Sequence, residues 1–188
     1  MKKIILILFL IVSQFVFGQS PTKQGRINLN GNLFYMTQGT VDPNNNLDIF
    51  LFNPQFGYFI FDNLSVNISI DYTYETFRER SSTKYGIGPS IRYYFDIERI
   101  KPYLSIGYSY LGEITTSYGY TDKFPSQELL LSGGLDYFIT NNVALETIIS
   151  YRITTVEEPL YSTAEDIYIP YNKKGNTFLI GLGINIFL

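Results

Sequence analysis

The sequence contains no cysteine, no histidine and no tryptophan in its 188 residues. Disulfides are therefore impossible, and so are thiolate or imidazole metal ligands, a cysteine nucleophile and a serine–histidine charge pair. Most structural zinc sites and most hydrolase triads are excluded with them. Charge is scarce as well: 16% of the residues are Asp, Glu, Lys or Arg, with a formal net charge of −3. That balance argues against nucleic acid as a partner, because phosphate backbones select strongly basic surfaces. After the N-terminal region no continuous apolar run approaches the ~20 residues of a membrane-spanning helix. Aromatics are abundant instead, with 17 Tyr and 15 Phe in a chain that is 45% hydrophobic. Such a chain is too apolar to be disordered, and its length suits one domain.

Residues 1–20 read MKKIILILFLIVSQFVFGQS. Lys2 and Lys3 supply a positive start, Ile4–Val12 is an apolar run, and Val16 and Gly18 occupy −3 and −1 of a cut before Gln19. This is the three-part pattern of a cleaved secretory signal peptide. As a membrane anchor the stretch is too short, since it ends at Phe17 and is broken by Ser13 and Gln14. The expected division is a signal peptide over 1–18 and one mature domain over 19–188. No cysteine follows the cut, so a lipid-anchored N-terminus is excluded. Loss of Lys2 and Lys3 takes the net charge from −3 to −5.

Along the mature chain the recurring signal is alternation with a period of two. In Ser65–Glu75, Val66, Ile68, Ile70, Tyr72 and Tyr74 share one face, while Ser65, Asn67, Ser69, Asp71, Thr73 and Glu75 share the other. The last segment repeats the pattern, with Phe178, Ile180, Leu182, Ile184, Ile186 and Leu188 on one side. Alternation of this kind is a β-strand between an apolar and a polar environment. It predicts eight strands, at about 25–37, 48–60, 64–76, 84–95, 102–112, 127–139, 143–153 and 175–188. Short turn-rich links at 61–63, 96–101 and 140–142 alternate with longer polar ones near 38–47, 77–83, 113–126 and 154–174. Short at one end and long at the other is the signature of an up-and-down meander.

The two faces differ in kind. On the apolar face only Gly31, Pro54, Pro89, Gly133 and Thr147 depart from Ile, Leu, Val, Phe or Tyr. The opposite face carries Arg26, Asp71, Glu75, Lys84, Arg92, Glu128, Asp136, Glu146 and Arg152, with much of the remainder Gly, Ala or Ser. A soluble ligand-binding barrel would turn the large face inward, and a membrane barrel would turn it outward. Volume favours the second, because eight strands enclose a space only just filled by side chains. Large residues would overfill that space, whereas glycine and serine fit it. Tilted strands of this length also cross a bilayer, and closure satisfies every backbone polar group inside it. Tyr35, Tyr72, Tyr74, Tyr85, Tyr108 and Tyr110 gather toward the long-loop end of the outward face, with Tyr58, Tyr93 and Tyr137 toward the other, as interfacial girdles would.

With these features the mature chain resembles the small OmpA/OmpX-type outer-membrane β-barrels of bacteria. The resemblance is carried by the signal peptide, the eight strands, and the Asn53-Pro54-Gln55-Phe56-Gly57-Tyr58-Phe59 strand running into the Phe61-Asp62-Asn63 turn. The closing Ile184-Asn185-Ile186-Phe187-Leu188 completes it. It implies an all-β, eight-stranded antiparallel up-and-down transmembrane barrel in the outer membrane of a Gram-negative-type bacterium, surrounded by outer-membrane lipids. It also implies that the assembly machinery reads the C-terminal strand 176–188. Family members end on an outward aromatic residue; here Phe187 is penultimate and Leu188 takes the outward place.

Some small barrels of this shape modify lipids through histidine-dependent sites, none of which carries over to a chain without histidine. One catalytic suggestion remains: pairing Ile139 with Val143 sets Asp136 opposite Glu146, and two close carboxylates can do acid–base work. The plainer reading is a structural charge network, with Asp136 and Glu146 joined to Arg26 and Arg92, Glu75 to Lys84, and Glu128 to Arg152. No catalytic, cofactor or metal site is assigned. A filled eight-stranded lumen also argues against a solute porin. The primary expectation is therefore a non-enzymatic, structural membrane barrel. The alternative is an adhesin or surface receptor acting through loops 113–126 and 154–174, where Tyr118, Tyr120, Tyr161, Tyr168 and Tyr171 offer contact chemistry.

Overall fold

In a computed structural model, which describes residues 20–38, 47–97, 99–162 and 167–188, the alternating segments become eight β-strands. They are β1 (Ile27–Gln38), β2 (Leu47–Phe61), β3 (Leu64–Phe77), β4 (Arg80–Tyr94), β5 (Ile100–Ser117), β6 (Tyr120–Phe138), β7 (Val143–Ser162) and β8 (Ile167–Phe187). Each pairs antiparallel with its neighbour in sequence, and β1 pairs with β8, so the sheet closes into a barrel. The expected fold class is thus the observed one. The expected signal peptide falls in residues 1–19, outside the described residues.

Strand ends depart from expectation most at the long-loop end; at the other, β1 begins at Ile27 and not at 25, and β5 at Ile100 and not at 102. The segments 113–126 and 77–83, read from sequence as loops, are mostly continuing ladder. β5 and β6 pair as far as Ser117↔Tyr120, and β3 and β4 as far as Phe77↔Arg80. Likewise β7 and β8 pair up to Ser162↔Ile167, inside the expected loop 154–174. The reason is physical: beyond the membrane both faces of a ribbon meet water, so alternation disappears while the hydrogen-bond ladder goes on. The turns are tight, with Arg78 (φ 53°), Tyr118 (φ 49°) and Gly119 (φ 82°) in the left-handed region. At the other end Asn63 (φ 66°) makes the β2–β3 turn at its expected place.

The apolar face points outward. Leu182, Ile180, Leu104, Ile87 and Ile106 are all exposed, as are all nine girdle tyrosines. The polar face points into the lumen, where Asn28, Asn30, Asn32, Asn53, Ser65, Asn67, Asp71, Arg92, Asp136, Glu146 and Asn185 are buried. Inward glycines make room for the larger lumen side chains: a Cβ on Gly134 would lie 2.5 Å from the Tyr103 hydroxyl, and one on Gly57 would lie 2.0 Å from Asn28 Oδ1.

Ile106 sits between the two girdles, beside Ile91 of β4 and Leu131 of β6. Ile106→Arg should destabilise the barrel by about 2–4 kcal/mol when its folding equilibrium is measured in lipid vesicles. Tyr120→Arg, at the exposed β5–β6 tip, should leave that equilibrium nearly unchanged.

Candidate functional site

The lumen has an aromatic floor at its short-turn end. Phe59 of β2, Tyr94 of β4, Phe138 of β6 and Phe187 of β8 are the last inward residues of their strands, with Tyr103 of β5 beside them. Ring centroids lie 5.1 Å apart for Phe138–Phe187, 5.5 Å for Tyr94–Tyr103, 5.7 Å for Phe59–Tyr94 and 6.2 Å for Phe59–Phe187. Those separations are the favourable range for aromatic pairs. Residues 20–26 cross beneath. Thr22 donates its hydroxyl to Asn63 Oδ1 at 2.6 Å, and the Asn63 amide donates to the Thr22 carbonyl at 2.7 Å. Asp62 accepts from the Gln24 amide and pairs with Lys23 at 2.7 Å. These contacts hold its carboxyl below the usual carboxylate range, so the latch persists at neutral pH and is lost as pH falls through that lowered value.

Directly above the floor lies a charged layer. Arg92 donates to Glu146 Oε1 at 2.9 Å and to the Tyr94 hydroxyl at 3.2 Å, and its guanidinium stands 4.1 Å from the centre of the Tyr103 ring. The Tyr103 hydroxyl donates to the same Glu146 oxygen. Asp136 is paired with Glu146 across β6 and β7, and it accepts a 2.7 Å hydrogen bond from the Asn185 amide.

Higher in the lumen Arg152 pairs with Glu128 at 2.9 Å and approaches Asp71 at 4.0 Å. Asn53 and Ser109 also donate to Asp71, at 2.7 and 2.9 Å. Near the open end Lys84 lies 3.7 Å from Glu75 and 4.0 Å from Glu113.

Eight of the nine charges singled out in the sequence thus meet a partner through the lumen. Arg26 stands apart: it precedes β1, is half-buried, and its Nε and Nη2 bond to nothing among the described residues. Three features were not singled out in the sequence. Glu113 lies beyond the expected end of β5. Lys101 is buried on the inward face and pairs with Asp96. The third is the amide ladder of Asn28, Asn30 and Asn32, joined by Asn53, Asn67 and Asn185. Its signal was available, since asparagine at every second position of β1 repeats with the strand period. Of the candidate contact residues, Tyr118 and Tyr120 are each 78% exposed at the β5–β6 tip. The side chains of Tyr161, Tyr168 and Tyr171 lie outside the described residues, although their backbones belong to the β7–β8 ribbon.

A charge-free outer belt, two tyrosine girdles and a packed polar lumen can all be met only by a barrel that lives in lipid. Residues 4–185 match the family model described as outer membrane protein beta-barrel domain. The chain belongs to that family. Its members' location is also this protein's: the outer membrane of a Gram-negative bacterium, in contact with the lipids there. Outer membrane porin F of Pseudomonas fluorescens is 26% identical over 185 residues, covering 93% of this chain and 52% of that protein. The chain therefore spans about half the length of this relative. Neisserial surface protein A superposes with a TM-score of 0.53 at 20% identity, covering 86% of this chain and 95% of that one. The N-terminal β-barrel domain of Pseudomonas aeruginosa OprF gives 0.53 at 14% identity, covering 88% and 98%. These two likenesses speak for the fold.

Truncating one member of a buried ion pair strands the other charge. Arg92→Met should cost about 3–5 kcal/mol, and adding Glu146→Gln should recover much of the loss. Urea unfolding of the barrel in lipid vesicles, followed through a full double-mutant cycle, checks both values.

Proposed function

We propose that this protein is a structural, non-enzymatic component of the outer membrane, sealed to solutes and anchored by its lipid-facing belt. The observation that carries the reading is the filling of the lumen: an aromatic floor, the Arg92–Glu146 layer and the Arg152–Glu128–Asp71 cluster follow one another along the axis. Aqueous pores need about 16 strands to leave such a space open. The porin in a relative's name belongs to a protein about twice as long, and the filled lumen of this chain weighs against a pore. Asp136 and Glu146 are fully buried, which weighs against substrate chemistry there. The signal peptide over 1–18 and recognition of strand 176–188 by the assembly machinery belong to the same proposal.

A second reading is favoured by one observation. The β5–β6 ribbon ends in a tight turn that presents Tyr118 and Tyr120 to solvent, and exposed tyrosine is a common anchor in protein contacts. The barrel would then act as an adhesin or surface receptor through 113–126 and 154–174.

Purified barrel, run unboiled and boiled in SDS, should migrate as a compact band that shifts on heating. Reconstituted in vesicles, it should admit small sugars no faster than empty vesicles do; rapid swelling would overturn the sealed reading. Deletion of residues 157–172 should leave the heat shift intact, and loss of cell or matrix binding in that variant would select the adhesin reading.

A further inference from the structure

The layer above the aromatic floor holds one more negative charge than the cations beside it answer. Asp136 and Glu146 are directly paired and are 0% and 1% exposed. Arg92 is the guanidinium that meets them, through Glu146. Lys101 faces Asp136 in the ladder but turns its ammonium to Asp96. Arg26 makes no ion pair with this layer among the described residues. A buried carboxylate without a full counter-charge is costly, and either a proton or a bound cation relieves that cost.

The oxygens left over indicate where. Arg92 and Tyr103 both bind Glu146 Oε1, and Asn185 binds Asp136 Oδ1. The second oxygens, Glu146 Oε2 and Asp136 Oδ2, are buried without a hydrogen-bond partner, as are the amide oxygens of Asn32 and Asn185. Every one of these four atoms is an acceptor. Gly183 of β8 lies between two of them, paired with Glu146 on one side and Asn32 on the other. A Cβ there would stand 2.2 Å from Asn32 Oδ1 and 2.8 Å from Glu146 Oε2, so only glycine lets both oxygens lean over that point. Two acceptors converging on one point repel each other unless a hydrogen-bond donor or a cation lies between them.

We propose that this layer is a binding site for one small, hard monovalent cation, held by Glu146 Oε2 and Asp136 Oδ2 with the amide oxygens of Asn32 and Asn185. The all-oxygen donor set suits a hard cation. A single surplus negative charge is neutralised by a single positive one, whereas a divalent ion would leave an excess beside Arg92.

The test uses barrel purified from outer membranes, with sodium chloride exchanged for choline chloride at constant ionic strength and neutral pH. The midpoint of the heat shift should rise by a few degrees as sodium replaces choline. Asp136→Asn removes the surplus charge, keeps the Arg92–Glu146 pair, and should abolish the response. Asn32→Ala should displace the response to higher sodium. A wild-type midpoint that is equal in the two salts overturns the site. So does an Asn32→Ala midpoint lowered by the same amount at every sodium concentration, since Asn32 would then merely donate its amide to Glu146. Should Asp136→Asn fail to fold, the sodium-23 resonance decides: broadening by folded wild type that weakens with Asn32→Ala supports the site, and no broadening refutes it.

Discussion

Every backbone N–H and C=O inside the bilayer must find its partner within the chain, because hydrocarbon offers none. The rest of the architecture follows from that one requirement. Strands satisfy each other only if the sheet has no edge in lipid, hence a closed barrel in which β1 meets β8. Closure then fixes two environments. Across the bilayer the outer one must be free of charge, and the inner one must absorb every charge that the strands carry there.

Closing at eight strands leaves little room inside, so lumen side chains are chosen for fit as much as for charge. Glycines face the largest groups: Gly134 faces the Tyr103 hydroxyl, and the Phe34 ring lies over Gly181. Tyr103 in turn completes the Arg92–Glu146 pair. Packing and electrostatics are therefore one problem here. A side chain added at Gly134 would displace the tyrosine that orients the buried carboxylate.

Where the two faces meet different surroundings, the sequence was readable. Val66, Ile68 and Ile70 against Asn67, Ser69 and Asp71 told the period, the direction of the lumen and the crossing length, and Asp136 opposite Glu146 followed from one short turn. Legibility failed where the surroundings became alike. Toward the tip Thr121, Asp122 and Lys123 are all exposed, whichever way they point, so the β5–β6 ribbon looked like a loop. It also failed where position depends on three dimensions. Phe59, Tyr94, Phe138 and Phe187 are far apart in the chain, and only the shear of the closed barrel brings them to one level. Arg26 shows the converse, since sharing a face with Arg92 on paper does not bring it within reach of the same carboxylates.

The barrel's eight interfaces are not equal. Seven join strands adjacent in the chain, whereas the seam between β1 and β8 joins its two ends over only six residue pairs, Asn28–Leu33 with Leu182–Phe187. A hairpin forms at small entropic cost; the seam closes the longest loop the chain can make. Of the eight interfaces it therefore carries the largest loop-closure entropy. Phe187 belongs both to the seam, opposite Asn28, and to the lumen floor, so the closing event that removes the last edge from lipid also seals the bottom of the barrel.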